Sequence, residues 1–140
     1  MHTVLLLPAA TRAELEMLAG GGYPDETCGL LLGREESGRC LVVGQRAARN
    51  VNRERSRDRF TVDPLDYLAA EQAAAAAGVA LVGCWHSHPD HPARPSETDR
   101  VLAWPGWSYV IVAVTAAGVA DLRSWRLDGP EFCEEEVRDG

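Results

Sequence analysis

The chain has 140 residues, 46% of them apolar and 25% charged, with a formal net charge of −7. That suffices for one domain with a real core and excludes a disordered composition, and the acidic balance argues against general nucleic-acid binding. No apolar run approaches the roughly 18 residues of a membrane span, and residues 1–8 lack the basic leader and long apolar region of a signal peptide, so a cytoplasmic location is expected. The four cysteines, Cys28, Cys40, Cys84 and Cys133, show no CxxC spacing. They read as free thiols packed as small hydrophobes, not as a disulfide frame or a zinc cluster.

In chain order, Val4–Leu7 reads as a short strand and residues 11–18 as a helix stopped by Gly20, Gly21 and Gly22. Strands are expected at 27–32 and 39–47, joined through Glu36, Ser37 and Gly38. Asp63 and Pro64 supply an N-cap and a first-turn proline to a second helix, which an alanine run carries and Gly78 closes. The apolar run 79–85 reads as a buried strand, and Ser96 starts a short third helix that ends near Trp104 and Pro105. Residues 109–114 and 119–127 form a hairpin around Ala116, Ala117 and Gly118. With no repeat and no linker, the plan is a single α/β domain over 1–140 with a strongly curved or mixed sheet; periodicity does not supply its strand order.

The chemistry is concentrated between Trp85 and Asp99. His86 and His88 lie two apart at the end of the apolar strand, so both imidazoles leave by the same face and can reach one ion. Eleven positions after His88, Asp99 sits in a helix start with Ser96. Two neutral nitrogens and a carboxylate form a three-ligand set that leaves a fourth tetrahedral position open, as catalytic zinc requires. Ser96 and Asp99 also have a structural explanation as a capping box, although a carboxylate oxygen that caps a helix is not expected to serve a metal well too. Cys84 shares the strand face of the histidines but lies roughly 13 Å along the strand from His88, at about 3.3 Å per residue, so it reads as a packing residue.

The string His86, Ser87, His88 and Pro89, followed by Ser96 and Asp99, resembles the signature of the JAMM/MPN-plus (JAB/MPN domain) zinc metalloproteases in their short bacterial form. The segment from Glu26 through Gly33 resembles that family's glutamate strand, Asn50 and the stretch Phe60 to Pro64 resemble its middle section, and Ser108 to Arg126 resembles its closing hairpin. The resemblance covers nearly the whole chain and implies a JAB/MPN fold, a cytidine-deaminase-like arrangement of a curved mixed β-sheet flanked by helices. A second pattern, His-x-His-x-Asp-His over His86, His88, Asp90 and His91, also fits metallo-β-lactamase-like hydrolases. That fold needs further histidines downstream, and none follows His91. Asp90 and His91 then read as loop residues at the rim of the site.

The resemblance also implies roles. Zn2+ would be held by His86, His88 and Asp99, Glu26 would be the general base, and Ser96 would donate to the oxyanion of the tetrahedral intermediate. From the residues alone, Glu26 is a solvated turn position after Pro24 and Asp25. Short proteins of this family act on ubiquitin-like, ThiS-like sulfur-carrier proteins, so cleavage after a C-terminal Gly-Gly of such a partner is expected. Arg53, Arg55, Arg57 and Arg59 alternate, and in an extended segment they would line one edge and could meet an acidic carrier, but a solvated or mobile loop is the favoured reading. A catalytically inactive MPN-type scaffold or binding module is the alternative. It predicts damaged ligands, whereas all five site residues are present. The oligomeric state is not legible.

Overall fold

The computed structural model describes residues 3–52 and 61–140. Within them the chain runs β1 (Val4–Leu7), α1 (Ala9–Gly22), β2 (Cys28–Glu36), β3 (Arg39–Ala48), α2 (Pro64–Ala76), β4 (Ala80–Pro89), α3 (Glu97–Leu102), β5 (Ser108–Thr115), β6 (Gly118–Asp128) and β7 (Glu131–Asp139). The strand order is β1-β3-β2-β4-β5-β6-β7, and β1 pairs with β7 to close the sheet into a barrel. β1 runs parallel to both β3 and β7, β4 runs parallel to β5, and the other neighbours are antiparallel. The mixed sheet is as expected, and its closure into a barrel corrects the expectation of a curved sheet flanked by helices.

The correction comes from β7, which the sequence reading left out because Glu134, Glu135 and Glu136 conceal its alternation. Glu135 points inward and is only 2% exposed. It accepts from Ser124 Oγ at 2.6 Å, from Thr3 Oγ1 at 2.8 Å and from Arg126 Nε at 3.1 Å. A buried carboxylate is tolerated when its lone pairs are satisfied in this way. These bonds tie β7 to β6 and to the residue preceding β1, where the barrel closes. The sheet bends through irregular registers at Leu32/Gly33, Leu31/Leu32 and Ala113/Val114. At Gly33 and Gly83 a methyl group would collide with the carbonyl oxygens of Leu41 and Ser108, so these backbones approach because neither residue has a Cβ.

Alternation divides the core into two faces. Val110, Val112 and Val114 of β5 pack with Leu15 and Ala19 of α1 and with Leu5, Leu7, Leu31 and Trp85. The intervening Tyr109, Ile111 and Ala113 face the side of the sheet that carries Leu30, Cys84 and Ala70 of α2. Helix α1 continues through the glycines that were expected to stop it, with Ala19 buried, and ends at Tyr23, whose extended backbone suits the residue before a proline. β2 also runs four residues beyond the expected strand. Ser37 and Gly38, both at positive φ, make a tight hairpin that keeps β2 and β3 paired up to Glu36 opposite Arg39. Asp63 caps α2 as expected, accepting from Leu65 N at 2.8 Å. Among the described residues no helix is long and apolar enough to cross a membrane. The alternating arginines from Arg53 to Arg59, and Phe60, lie outside the described residues.

Candidate active site

The end of β4 places both histidines on one face. His86 is 1% exposed, and its Nε2 lies 3.0 Å from His88 Nε2. His88 Nδ1 is 2.9 Å from the Pro92 carbonyl, which can only accept, so Nδ1 carries the hydrogen and the Nε2 lone pair of the neutral ring faces the centre. The loop after β4 is held from several sides. Asp90 N donates to Val114 O, Tyr23 Oη donates to the Asp90 carboxylate at 2.8 Å, and Trp125 Nε1 donates to Ala93 O at 3.0 Å. Asp90 and His91 are exposed loop residues, as expected.

Asp99 enters from the first turn of α3, where the capping box forms. Ser96 Oγ accepts from Asp99 N at 3.0 Å, and Ser96 N donates to Asp99 Oδ2 at 2.9 Å. The same Oδ2 lies 3.1 Å from His88 Nε2 and 3.3 Å from His86 Nε2. The expectation that capping and the histidine centre compete for this carboxylate is therefore corrected: one oxygen carries two lone pairs, and both directions are used.

Glu26 is not the solvated turn residue that its neighbours in sequence suggest; it is 4% exposed. Cys28 pairs with His86 across the antiparallel β2–β4 ladder, so counting two residues back along β2 brings Glu26 level with His88, on the same face. The turn is fixed there. Thr27 N donates to Ser87 Oγ at 2.9 Å, Ser87 N donates to Thr27 O at 2.9 Å, and Asn50 Nδ2 donates to the Glu26 carbonyl at 3.1 Å. Ligand-type atoms of Glu26, His86 and His88 all lie within 4.8 Å of one another. Only a long-range strand register exposes this placement, so the local sequence carries no signal for it.

Burial would raise the Asp99 carboxyl, but the neighbouring imidazoles of His86 and His88 and the Ser96 N–H override it and hold the group well below the usual carboxylate range. Burial keeps His86 below the ordinary imidazole value, whereas at His88 the same desolvation is outweighed by the Asp99 carboxylate and the Pro92 carbonyl, which raise it. Four ligands at about 2.0–2.1 Å from a tetrahedral zinc stand about 3.3 Å apart. The three atoms from His86, His88 and Asp99 are separated by 3.0, 3.1 and 3.3 Å. Those separations match the edges of one coordination tetrahedron, so the residues present fit a divalent metal.

Beside this centre lies a cavity of about 390 Å³, walled by Leu30, Val62, Tyr67, Cys84, Trp107 and Tyr109 and reached also by His86 and Asp99. Cys84 is thus a packing and lining residue, as its distance from His88 suggested, and burial pushes its thiol pKa up. Sequence reading missed the cavity. Its available signal was a tryptophan pair, Trp104 and Trp107, around Pro105 and Gly106 in a chain with only 6% aromatic residues.

A histidine pair with one carboxylate between its nitrogens and a second carboxylate alongside has the outline of a metal-dependent hydrolase. The family described as prokaryotic homologs of the JAB domain matches residues 8–128. A desampylase of Haloferax volcanii is 38% identical over 120 residues, covering 85% of this chain and 81% of that protein. A CysO-cysteine peptidase of Mycobacterium tuberculosis is 35% identical over 116 residues, covering 82% and 77%. The solution structure of a protein from Desulfitobacterium hafniense superposes with a TM-score of 0.85 at 30% identity, covering 97% of this chain and 92% of that one. One from Salinibacter ruber gives 0.75 at 35% identity, covering 96% and 91%. The chain belongs to the prokaryotic JAB family.

Proposed function

We propose that this JAMM-type peptidase cleaves after the C-terminal Gly-Gly of a ubiquitin-like or sulfur-carrier protein, with zinc held by His86, His88 and Asp99. The observation that carries the reading is the buried carboxylate of Glu26 at the side of the His86–His88–Asp99 centre. The relatives named desampylase and CysO-cysteine peptidase support the substrate class. The whole chain 1–140 acts as one JAB/MPN unit, because β7, outside the matched segment, closes the barrel on β1. The four cysteines are free and three are buried, which suits a cytoplasmic enzyme.

A bound divalent metal supplies Lewis acidity, acidifying water toward a pKa of about 7 and polarising the scissile carbonyl. Glu26 takes the proton from the attacking water and returns it to the departing amine; its backbone is pinned by Asn50 and by Thr27–Ser87, so the carboxylate needs little reorganisation. Ser96 Oγ accepts from Asp99 N, which leaves its hydroxyl hydrogen to donate to the oxyanion. A diglycine tail suits the centre because it lets an extended backbone approach closely. Leu102 and Trp104 reach the cavity yet stand 67% and 58% exposed, apolar surface that a protein substrate would cover.

The test is mass spectrometry of ubiquitin-like carriers extended beyond Gly-Gly, incubated with metal-loaded protein. Release of the extension, stopped by phenanthroline and slowed strongly when the second glycine is replaced by valine, is the expected result. Cleavage of an unrelated peptide at the same rate would reduce the activity to general metallopeptidase action, and no cleavage of any carrier would restore the scaffold reading.

A further inference from the structure

The large apolar cavity has no task in the mechanism as stated. Its walls are built in advance: Tyr67 of α2 stacks on Trp107 with ring centroids 6.5 Å apart, Trp107 lies 6.4 Å from Tyr109, and Trp104 N donates to Tyr109 Oη at 2.6 Å. At about 390 Å³ it is far larger than a packing void, within the roughly 300–1,000 Å³ range of sites that enclose a ligand. Among the described residues none that lines it is lysine or arginine, while Asp99 contributes a negative charge.

We infer that this cavity receives the side chain of the residue released by cleavage, and that it selects an apolar, above all aromatic, residue directly after Gly-Gly. The inference rests on the peptidase reading of the site. Because His86 and Asp99 are themselves part of the lining, the cavity opens onto the reacting centre. On the acyl side the two residues nearest the scissile bond are glycines without side chains, and the first side chain before them is displaced by two residues at about 3.3 Å each. On the leaving side, a side chain begins at the residue whose nitrogen departs. That side chain is the nearest available occupant, and aromatic walls favour an aromatic ring over an aliphatic or acidic group.

Two arms test this. Carriers ending in Gly-Gly-Phe, Gly-Gly-Leu, Gly-Gly-Ala and Gly-Gly-Asp are compared by kcat/KM with the metal-loaded protein. Phenylalanine is expected to exceed alanine by at least about tenfold, with aspartate slowest. Val62→Phe, which puts a ring into the cavity, should bring the phenylalanine-to-alanine ratio toward one. In the second arm, Glu26→Gln is titrated with the blocked peptides Gly-Gly-Phe-amide and Gly-Gly-Asp-amide while tryptophan fluorescence is followed, since Trp104 and Trp107 line the cavity. Saturation by the phenylalanine peptide at concentrations at least about tenfold lower is expected. Cleavage at equal rates across the series, or rates that follow the residue before Gly-Gly instead, would overturn the inference and leave the peptidase reading intact. Absence of all cleavage with the fluorescence preference preserved would overturn the peptidase reading and keep the pocket.

Discussion

Asp99 answers two demands with one oxygen, closing the α3 capping box and standing between the two imidazoles. Its loss should therefore show in metal content. Plasma mass spectrometry of purified protein is expected to give about one zinc per chain, and His86→Ala or Asp99→Ala should lower it sharply; full retention by both variants would rule out this coordination. Ser96 combines a cap with a proposed oxyanion donor, and the two roles separate by choice of substitution. Glycine at an N-cap costs only a few tenths of a kcal/mol, so Ser96→Gly should barely move the melting temperature while turnover falls about 10²- to 10³-fold. An equal, small loss in both measurements would leave Ser96 as a cap alone. At this scale the sequence displayed His86, His88, Ser96 and Asp99 because their spacing along β4 and into α3 is local. Glu26 was accessible only through the family resemblance, since its burial follows from a register with residues sixty positions away.

Elements that announce themselves by local chemistry were legible. Asp63–Pro64 opens α2, the turn at Ser37–Gly38 joins β2 to β3, and the hairpin of β5 and β6 lies where alternating apolar residues placed it. The run of glycines misled, because packing of α1 outweighs the roughly 1 kcal/mol that each glycine costs in a helix. The same packing sets the stability of β2. Leu31 is fully buried, so Leu31→Ala should cost about 2–5 kcal/mol in urea unfolding, whereas Leu65→Ala on the exposed face of α2 should stay within about 0.5 kcal/mol. Equal effects would mean that the core is not divided as described.

The whole molecule depends on closure by a strand that composition disguises. Glu135 joins Ser124, Arg126 and Thr3, and Arg126 also pairs with Glu35. Glu135→Ala takes the acceptor from the buried Ser124 hydroxyl and from Arg126 Nε, although Arg126 keeps Glu35, so it should destabilise by about 1–3 kcal/mol in denaturant unfolding. A loss below about 1 kcal/mol would show that β7 contributes little to closure. The closed barrel also sorts the thiols. Burial, with the Glu26 and Asp66 charges adding to it, pushes Cys28 up to about 12, and Cys40 is likewise raised by burial. A raised thiol pKa keeps the unreactive protonated form at pH 8, so a thiol reagent should label one site quickly in the native protein, the exposed Cys133, and all four after unfolding. Rapid labelling of a second thiol would contradict the packing of the barrel.

We propose that Glu26 performs the proton transfer beside a metal that it does not hold. Single-turnover cleavage of a Gly-Gly-extended carrier by Glu26→Gln, with metal occupancy determined on the same sample, tests it most directly. Full occupancy with a rate reduced at least about 10²-fold is the predicted result. A wild-type rate at full occupancy would assign the base elsewhere, and loss of the metal would make Glu26 a ligand, in keeping with the 4.8 Å grouping of its carboxylate with His86 and His88.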